Sequence, residues 1–439
     1  MLDTNKKYKI NMNVLDFKKT TFLVEFIIII LPISLLFSNF VSEILILILF
    51  LFFFVNVKKN ELINILNNKI IIFIFILYFF LIINYFLNIS RDPDFARSFF
   101  FIRFVLYVIS LSYFLNKDYI NSKKIFFYWG IITLLICLDL QIQNILGKNV
   151  FGYESIKQGN LIRLGGFLND ELKISYLINN FFVISLGSYF FYNKNNNKNF
   201  LIIVLVFILI VLFSVYATAE RANFICLLLF IFSFLIFSKY RFYFMSAIII
   251  LIPIIFINIA ELKSNEKIKR MFLDNAKLIK KNILINTKMN NNFLYKDNHY
   301  FSHYSTAWQI ANDFPLTGVG LKNFRNFCNN EVYQKELHPS FRDRNCSTHP
   351  HNLFFEIISE LGFFGFIVFF SIFGYFFYIS FKNSFKFKNI FLFGNTIFLM
   401  TYFIPLLPRG SFFSNWNAML FWTVFAISLY LINKDNKYA

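Results

Sequence analysis

Apolar runs of roughly 17–25 residues follow one another along most of the chain, near 21–38, 40–57, 70–88, 99–115, 125–146, 174–192, 200–217, 222–238, 241–260, 353–380, 390–407 and 412–432. Such a run is the length of helix that crosses about 30 Å of hydrocarbon. In that medium every backbone amide and carbonyl must find its partner within the protein, so only helices and closed barrels span it. The runs are too long for strands and lack the alternation of barrel strands. The expected fold is therefore all-α, a polytopic integral membrane protein of about twelve transmembrane helices. Composition closes the other routes. Charged residues make up 15% of the chain, against about 25% in an ordinary soluble domain. A disordered chain would not carry 21% aromatic residues.

A formal charge of +19 would ordinarily raise a nucleic-acid partner, but its placement gives it another meaning. With the N-terminus taken as cytoplasmic, the inner segments hold twenty Lys and Arg residues, among them Lys58, Lys59, Lys123, Lys124, Lys382 and Lys434. The short outer loops hold eight. That asymmetry follows the positive-inside rule. It places both termini in the cytoplasm and the single long extramembrane segment on the outer side. The expected organisation is a cytoplasmic segment at 1–20, a bundle of about nine spans at 21–260, a large periplasmic loop at 261–352, a bundle of about three spans at 353–432 and a short cytoplasmic tail at 433–439. The polar start followed directly by an apolar hairpin reads as an uncleaved signal-anchor. The partner so far is the lipid bilayer, with no nucleic acid.

The large loop opens on SNEKIKRMFLDNAKLIKKNILINTK, whose apolar residues recur at helical spacing among lysines, as in a helix lying on a membrane surface. HYSTAWQIANDF reads as a short helix ended by Pro315. In PLTGVG, Gly318 and Gly320 permit a tight turn that few other residues adopt. STHPHNLFFEIISELGFFGF then runs from polar loop into a membrane helix, with Pro350 and Asn352 at its start. Cys328 and Cys346 both fall in this loop; their even number and an oxidising compartment predict a disulfide. Cys137 and Cys226 lie within spans and read as apolar packing residues.

All five histidines, His299, His303, His338, His349 and His351, also fall in the loop. A metal site needs three or four convergent ligands, and no carboxylate pair completes such a set, so no metal is expected. A neutral imidazole at the membrane boundary suits proton abstraction near neutral pH. Two outer arginines carry the second half of the chemistry. Arg221 stands in YATAERAN, between two spans, and Arg163 in the turn-rich NLIRLGGFLND. A guanidinium recognises phosphate in bidentate fashion and stays charged. The plainer alternative for each is interfacial snorkelling or an ion pair, with Glu220 beside Arg221 and Asp170 near Arg163. Arg103 and Arg409 are weaker candidates on the same grounds. Tyr304 and Trp308 are candidates to stack on sugar, with core packing the stronger reading for Trp308.

These segments carry a resemblance. RLGGFLND, AER-AN, AWQIANDFPLTGVGLKNF and HPHNLFFEIISELGFFG, in this order and over roughly residues 150–420, resemble the bacterial O-antigen ligase and O-antigen polymerase superfamily. Position 222 is Ala where many relatives have Gly. The resemblance implies periplasmic-side transfer of a polyprenyl-pyrophosphate-linked glycan to a sugar hydroxyl of the lipid A core. It implies inversion at the anomeric carbon and no cofactor or metal. By the same resemblance, Arg221 and Arg163 hold the donor pyrophosphate and a histidine of the HPHN motif activates the acceptor; His351 is taken as the catalytic base, with His349 as orienter or alternate. Asn352, Glu360, Gly318 and Gly320 support them. It places the protein in the bacterial inner membrane. O-antigen polymerase and protein O-oligosaccharyltransferase are alternatives within the superfamily. A solute transporter is the alternative of another class, although transporters concentrate polarity at midplane and this chain concentrates it outside the spans.

Overall fold

Helices begin where a small polar residue precedes an apolar run. Ser38, Asn68, Asn121 and Asn389 each accept a hydrogen bond from a first-turn amide, relieving one of the donors that a helix start leaves unpaired. The computed structural model describes residues 14–158, 161–193, 198–238, 241, 299–335, 346–405 and 407–437. The first ten helices are α1 (Val14–Phe37), α2 (Asn39–Asn56), α3 (Lys59–Leu66), α4 (Lys69–Leu87), α5 (Phe95–Phe99), α6 (Ile102–Leu115), α7 (Ser122–Leu146), α8 (Ile174–Tyr192), α9 (Lys198–Ala217) and α10 (Arg221–Phe237). They are followed by α11 (His299–Asp313), α12 (Phe324–Phe327), α13 (Glu331–Lys335), α14 (Leu353–Lys386), α15 (Ile390–Met400) and α16 (Asn415–Lys437). A single hairpin, β1 (Ile156–Gln158) with β2 (Leu161–Arg163), pairs Ile156 with Arg163.

Among the described residues, eight helices are long and apolar enough to cross a membrane. Three shorter apolar helices, Leu201–Ala217, Arg221–Phe237 and Ile390–Phe403, fall on three further apolar runs of the sequence. The run at 242–260, the lysine-rich segment after it and His338 lie outside the described residues. The surface has the character of a lipid-facing one. Phe54 is 69% exposed and Ile145 77%, while Leu49 and Leu77, on the inner faces of their helices, are fully buried. Apolar patches on this scale would be a liability in water and are the natural outer surface of a bundle in lipid. The chain is a multi-pass, all-α membrane protein.

The bundle is built by α6 against α16, α7 against α8, and α8 and α10 against α15, with α11 laid on α14. Its two ends differ. At one, Lys434 Nζ donates to Tyr430 Oη (2.9 Å), which joins the hydroxyls of Ser122 and Tyr192. The other carries the hairpin, the start of α10 and the histidines.

Candidate active site

α14 is broken near its start. Gly362 has φ 71° and ψ −178°, a conformation open to glycine. The break removes Phe363 N from the helix ladder, and it donates instead to Pro315 O (2.7 Å). The carbonyls of Ser359 and Glu360 accept from Val319 N (3.0 Å) and Gly320 N (2.8 Å). The PLTGVG loop is thus hydrogen-bonded reciprocally into the break, which answers the requirement that buried backbone groups be paired. Close approach demands the glycines: a Cβ on Gly318 would lie 2.5 Å from Glu360 C, and one on Gly362 would lie 2.4 Å from Leu316 C. Asn84 Nδ2 donates to Thr317 O (2.7 Å) and Arg91 Nη1 to Gly318 O (3.1 Å), docking the loop on the end of α4.

Two residues beyond the loop, Lys322 donates its backbone N–H to Glu360 Oε2 (2.8 Å). Its ammonium, 5% exposed on the side chain, lies 3.4 Å from Glu356 Oε1 and also bonds Ser411 Oγ. Glu356, 1% exposed, accepts from Ser411 Oγ and from Phe412 N (2.9 Å). A buried ion pair therefore clamps the segment around residues 409–412 against α14.

That segment holds both histidines of the HPHN motif. Arg409 N donates to His351 O (2.7 Å). His349 Nε2 lies 3.1 Å from Arg409 O and its Nδ1 lies 3.0 Å from Thr348 Oγ1. A carbonyl only accepts, so Nε2 carries the proton and a neutral His349 takes the Thr348 hydroxyl proton at Nδ1. Both of its ring nitrogens are committed. His351 is half-buried, with Nε2 3.1 Å from Ser347 Oγ. Its φ of 58° is an unusual left-handed conformation for a side-chain-bearing residue. Its ring is packed among those of His349 (4.2 Å between centroids), His303 (5.3 Å) and Tyr300 (5.5 Å). Asn352 caps α14 by accepting from Phe354 N (3.0 Å). Cys328 and Cys346 are joined, with Cα atoms 5.0 Å apart, tying the histidine segment to the end of α12.

The arginines reach this region from the other side. Arg163, on β2, pairs with Glu220, the residue before α10, so β2 is anchored beside Arg221. Asn223 Nδ2 donates to Ser175 Oγ (2.8 Å) and Asn179 Nδ2 to Asn223 O (2.9 Å), fixing the start of α10 on α8. From the same turn of α8, Tyr176 Oη accepts from Gly410 N (3.2 Å). Arg409 closes the circuit: Nη2 donates to Thr401 Oγ1 (2.9 Å) and contacts Cys226 Sγ. Cys226 is five residues beyond Arg221 on α10, about 7.5 Å along the axis. The arginine cluster and the histidine pair therefore occupy one end of the bundle.

Residues 205–370 match the family model described as O-antigen ligase, a stretch that includes Glu220, Arg221, the PLTGVG loop and the HPHN motif. Over that stretch the chain is similar to the O-antigen ligase family. No curated protein matches it. Arg163 and Arg409 lie outside the matched stretch, and the fold brings both to it. The match supports, at the level of that family, an enzyme of the O-antigen ligase or polymerase type.

Three readings of side chains change. Trp308, read from the sequence as core, is 47% exposed on α11, because α11 turns Ala307, Ile310 and Ala311 inward instead. Tyr304, the sugar-stacking candidate beside it, is buried and stacks on Phe355 at 4.8 Å. Arg409, a weak candidate by sequence, sits at the centre of the hydrogen-bonded arrangement. Its only sequence signal is its position in the PRG turn, which snorkelling explains equally well. Arg103 is accounted for by Glu43 (3.6 Å) and Asn415 Oδ1 (2.7 Å). Among the described residues no three metal-ligating side chains are arranged to hold an ion.

Burial, reinforced by the Lys322 charge and opposed by the bond to the Arg409 carbonyl, pushes His349 down to about 3. His349 is therefore neutral throughout the physiological range. Its unfolded form protonates near 6.5, so between about pH 6.5 and pH 3 the unfolded chain binds a proton that the folded chain does not. Stability from this residue is complete above pH 6.5 and declines as pH falls through that window. Thermal unfolding of detergent-solubilised protein at pH 7 and pH 4 should show a larger acid-induced drop for wild type than for His349→Gln. Equal drops would contradict the buried neutral assignment.

Proposed function

We propose that the protein transfers a polyprenyl-pyrophosphate-linked glycan to a sugar hydroxyl of the lipid A core at the periplasmic face of the inner membrane, with both termini cytoplasmic. The observation that carries this reading is the tie that Arg409 makes between the HPHN loop, through its backbone, and α10, the helix that Arg221 opens, through Cys226. In this reading an imidazole takes the proton and guanidinium groups at the same end of the bundle receive the departing pyrophosphate. His351 is the base, because it is the more exposed of the two histidines while His349 is buried. The acceptor O–H gives its proton to the His351 imidazole as its oxygen attacks the anomeric carbon. The bond from that carbon to the pyrophosphate oxygen breaks on the opposite face, inverting the centre and releasing polyprenyl pyrophosphate. Charge developing on the leaving group is stabilised by Arg221 and Arg163, with preorganised donors more effective in a poorly hydrated site than in water. Asn352 and Glu360 keep the histidine loop and the PLTGVG loop in register. No metal or cofactor takes part.

A strain lacking the protein tests the reading. Loss of all polymer from lipid A with lipid-linked polymer accumulating supports a ligase. Capping of the core by single repeats identifies a polymerase, and loss of glycoprotein staining a protein glycosyltransferase. Complementation with Arg221→Lys should restore little transfer, since an ammonium lacks the bidentate fork; full restoration would remove Arg221 from pyrophosphate binding.

A further inference from the structure

Charge pairing at the site is uneven. Arg163 is matched by Glu220 and Lys322 by Glu356. Arg409 is 6% exposed, and among the described residues no carboxylate lies within ion-pair distance of it. One face of its guanidinium covers the Tyr402 ring at 4.2 Å, with Tyr176 at 5.9 Å. With its faces against rings, the group can meet a further partner only along its edges. One edge is used, by Nη2 on Thr401 Oγ1 and Cys226 Sγ. Nε is buried and has no hydrogen-bond partner. A buried cation without a counter-ion is costly, and an arginine does not escape by losing its proton. A main chain held by Glu356 through Ser411 and Phe412 keeps that cost from being relieved by movement outward.

We infer that Arg409 is a phosphate-binding residue whose counter-ion is the pyrophosphate of the lipid-linked donor, received along its Nε edge between Arg221 and the histidine pair. This rests on the proposed glycan-transfer reading for the identity of the donor. It assigns the decisive uncompensated charge to Arg409, where Arg163 is already neutralised by Glu220. The same residue would couple donor to base, because its backbone N and O hold His351 and His349. Donor binding and imidazole orientation would then be set by one residue.

Inorganic pyrophosphate added to the purified full-length protein in nanodiscs is the probe, with thermal unfolding and binding isotherms as readouts. Pyrophosphate should raise the wild-type midpoint. Arg409→Met should unfold at a higher temperature than wild type without ligand, because the unpaired charge is gone, and should bind pyrophosphate at least tenfold more weakly. Arg409→Gln, which keeps a donor for Thr401, should lose pyrophosphate equally and serves if the methionine variant does not fold. A less stable variant that binds pyrophosphate like wild type would make Arg409 a structural strut and overturn the inference. Wild-type rates of glycan transfer by Arg409→Gln would overturn it too, leaving the transfer reading intact. Pyrophosphate binding that depends on Arg409 in a protein with no glycan-transfer activity would uphold the site and remove the proposed donor.

Discussion

Replacing His351 with glycine should lower glycan transfer by about 10²–10⁴-fold, the usual worth of a positioned general base, while leaving the fold intact or slightly stabilised. The second half of that expectation comes from the backbone. His351 occupies φ 58°, which costs a side-chain-bearing residue about 1–2 kcal/mol and glycine almost nothing. The exchange thus removes the imidazole and relieves strain together. Loss of activity with an unchanged or higher unfolding midpoint separates a chemical role from a structural one. Normal transfer by this variant would move the base to His349, and transfer surviving loss of both would exclude imidazole catalysis.

The largest stability effect should come from Glu356→Ala. It strips the partner from Lys322 in a site where the side chains are 5% and 1% exposed. Breaking one side of a buried pair costs about 3–5 kcal/mol, because the remaining charge stays buried. The variant also frees Ser411 and Phe412, so the hold of Arg409 on both histidines should loosen and transfer should fall with stability. Lys322→Met combined with Glu356→Leu should recover much of the stability, since an apolar pair of similar volume removes the stranded charge. Chemical denaturation of the reconstituted protein provides the measurement. A single variant within about 0.5 kcal/mol of wild type, the ordinary range for unremarkable surface sites, would show that the clamp is not there.

The spans were legible because a membrane helix announces itself by length and polarity over consecutive residues. Described helices such as Lys69–Leu87 and Ile174–Tyr192 start and end within a residue of the apolar runs that predict them. The histidine motif was legible for a related reason, since polar residues gathered at the mouth of a span have few structural uses. What escaped was the long-range pairing. Nothing local to Lys322 says that its partner is Glu356, thirty-four residues on, nor that the carbonyls released at Gly362 are met by amides at 319 and 320. The glycines hinted at close approach without naming what approaches. Arg409 was misjudged because a lone arginine after a proline looks the same whether it snorkels or is buried against Tyr402. Trp308 was misjudged because the inner face of α11 is filled by Tyr304, Ala307, Ile310 and Ala311, leaving the tryptophan outside.

The most direct test of the central claim is reconstitution with a polyprenyl-pyrophosphate-linked glycan and a lipid A core acceptor, following free polyprenyl pyrophosphate and the anomeric configuration of the new linkage. Wild type should release one polyprenyl pyrophosphate per glycan transferred and form the inverted linkage without added metal, and His351→Gly should do neither. Retained configuration, or equal transfer by His351→Gly, would contradict an imidazole-assisted direct displacement.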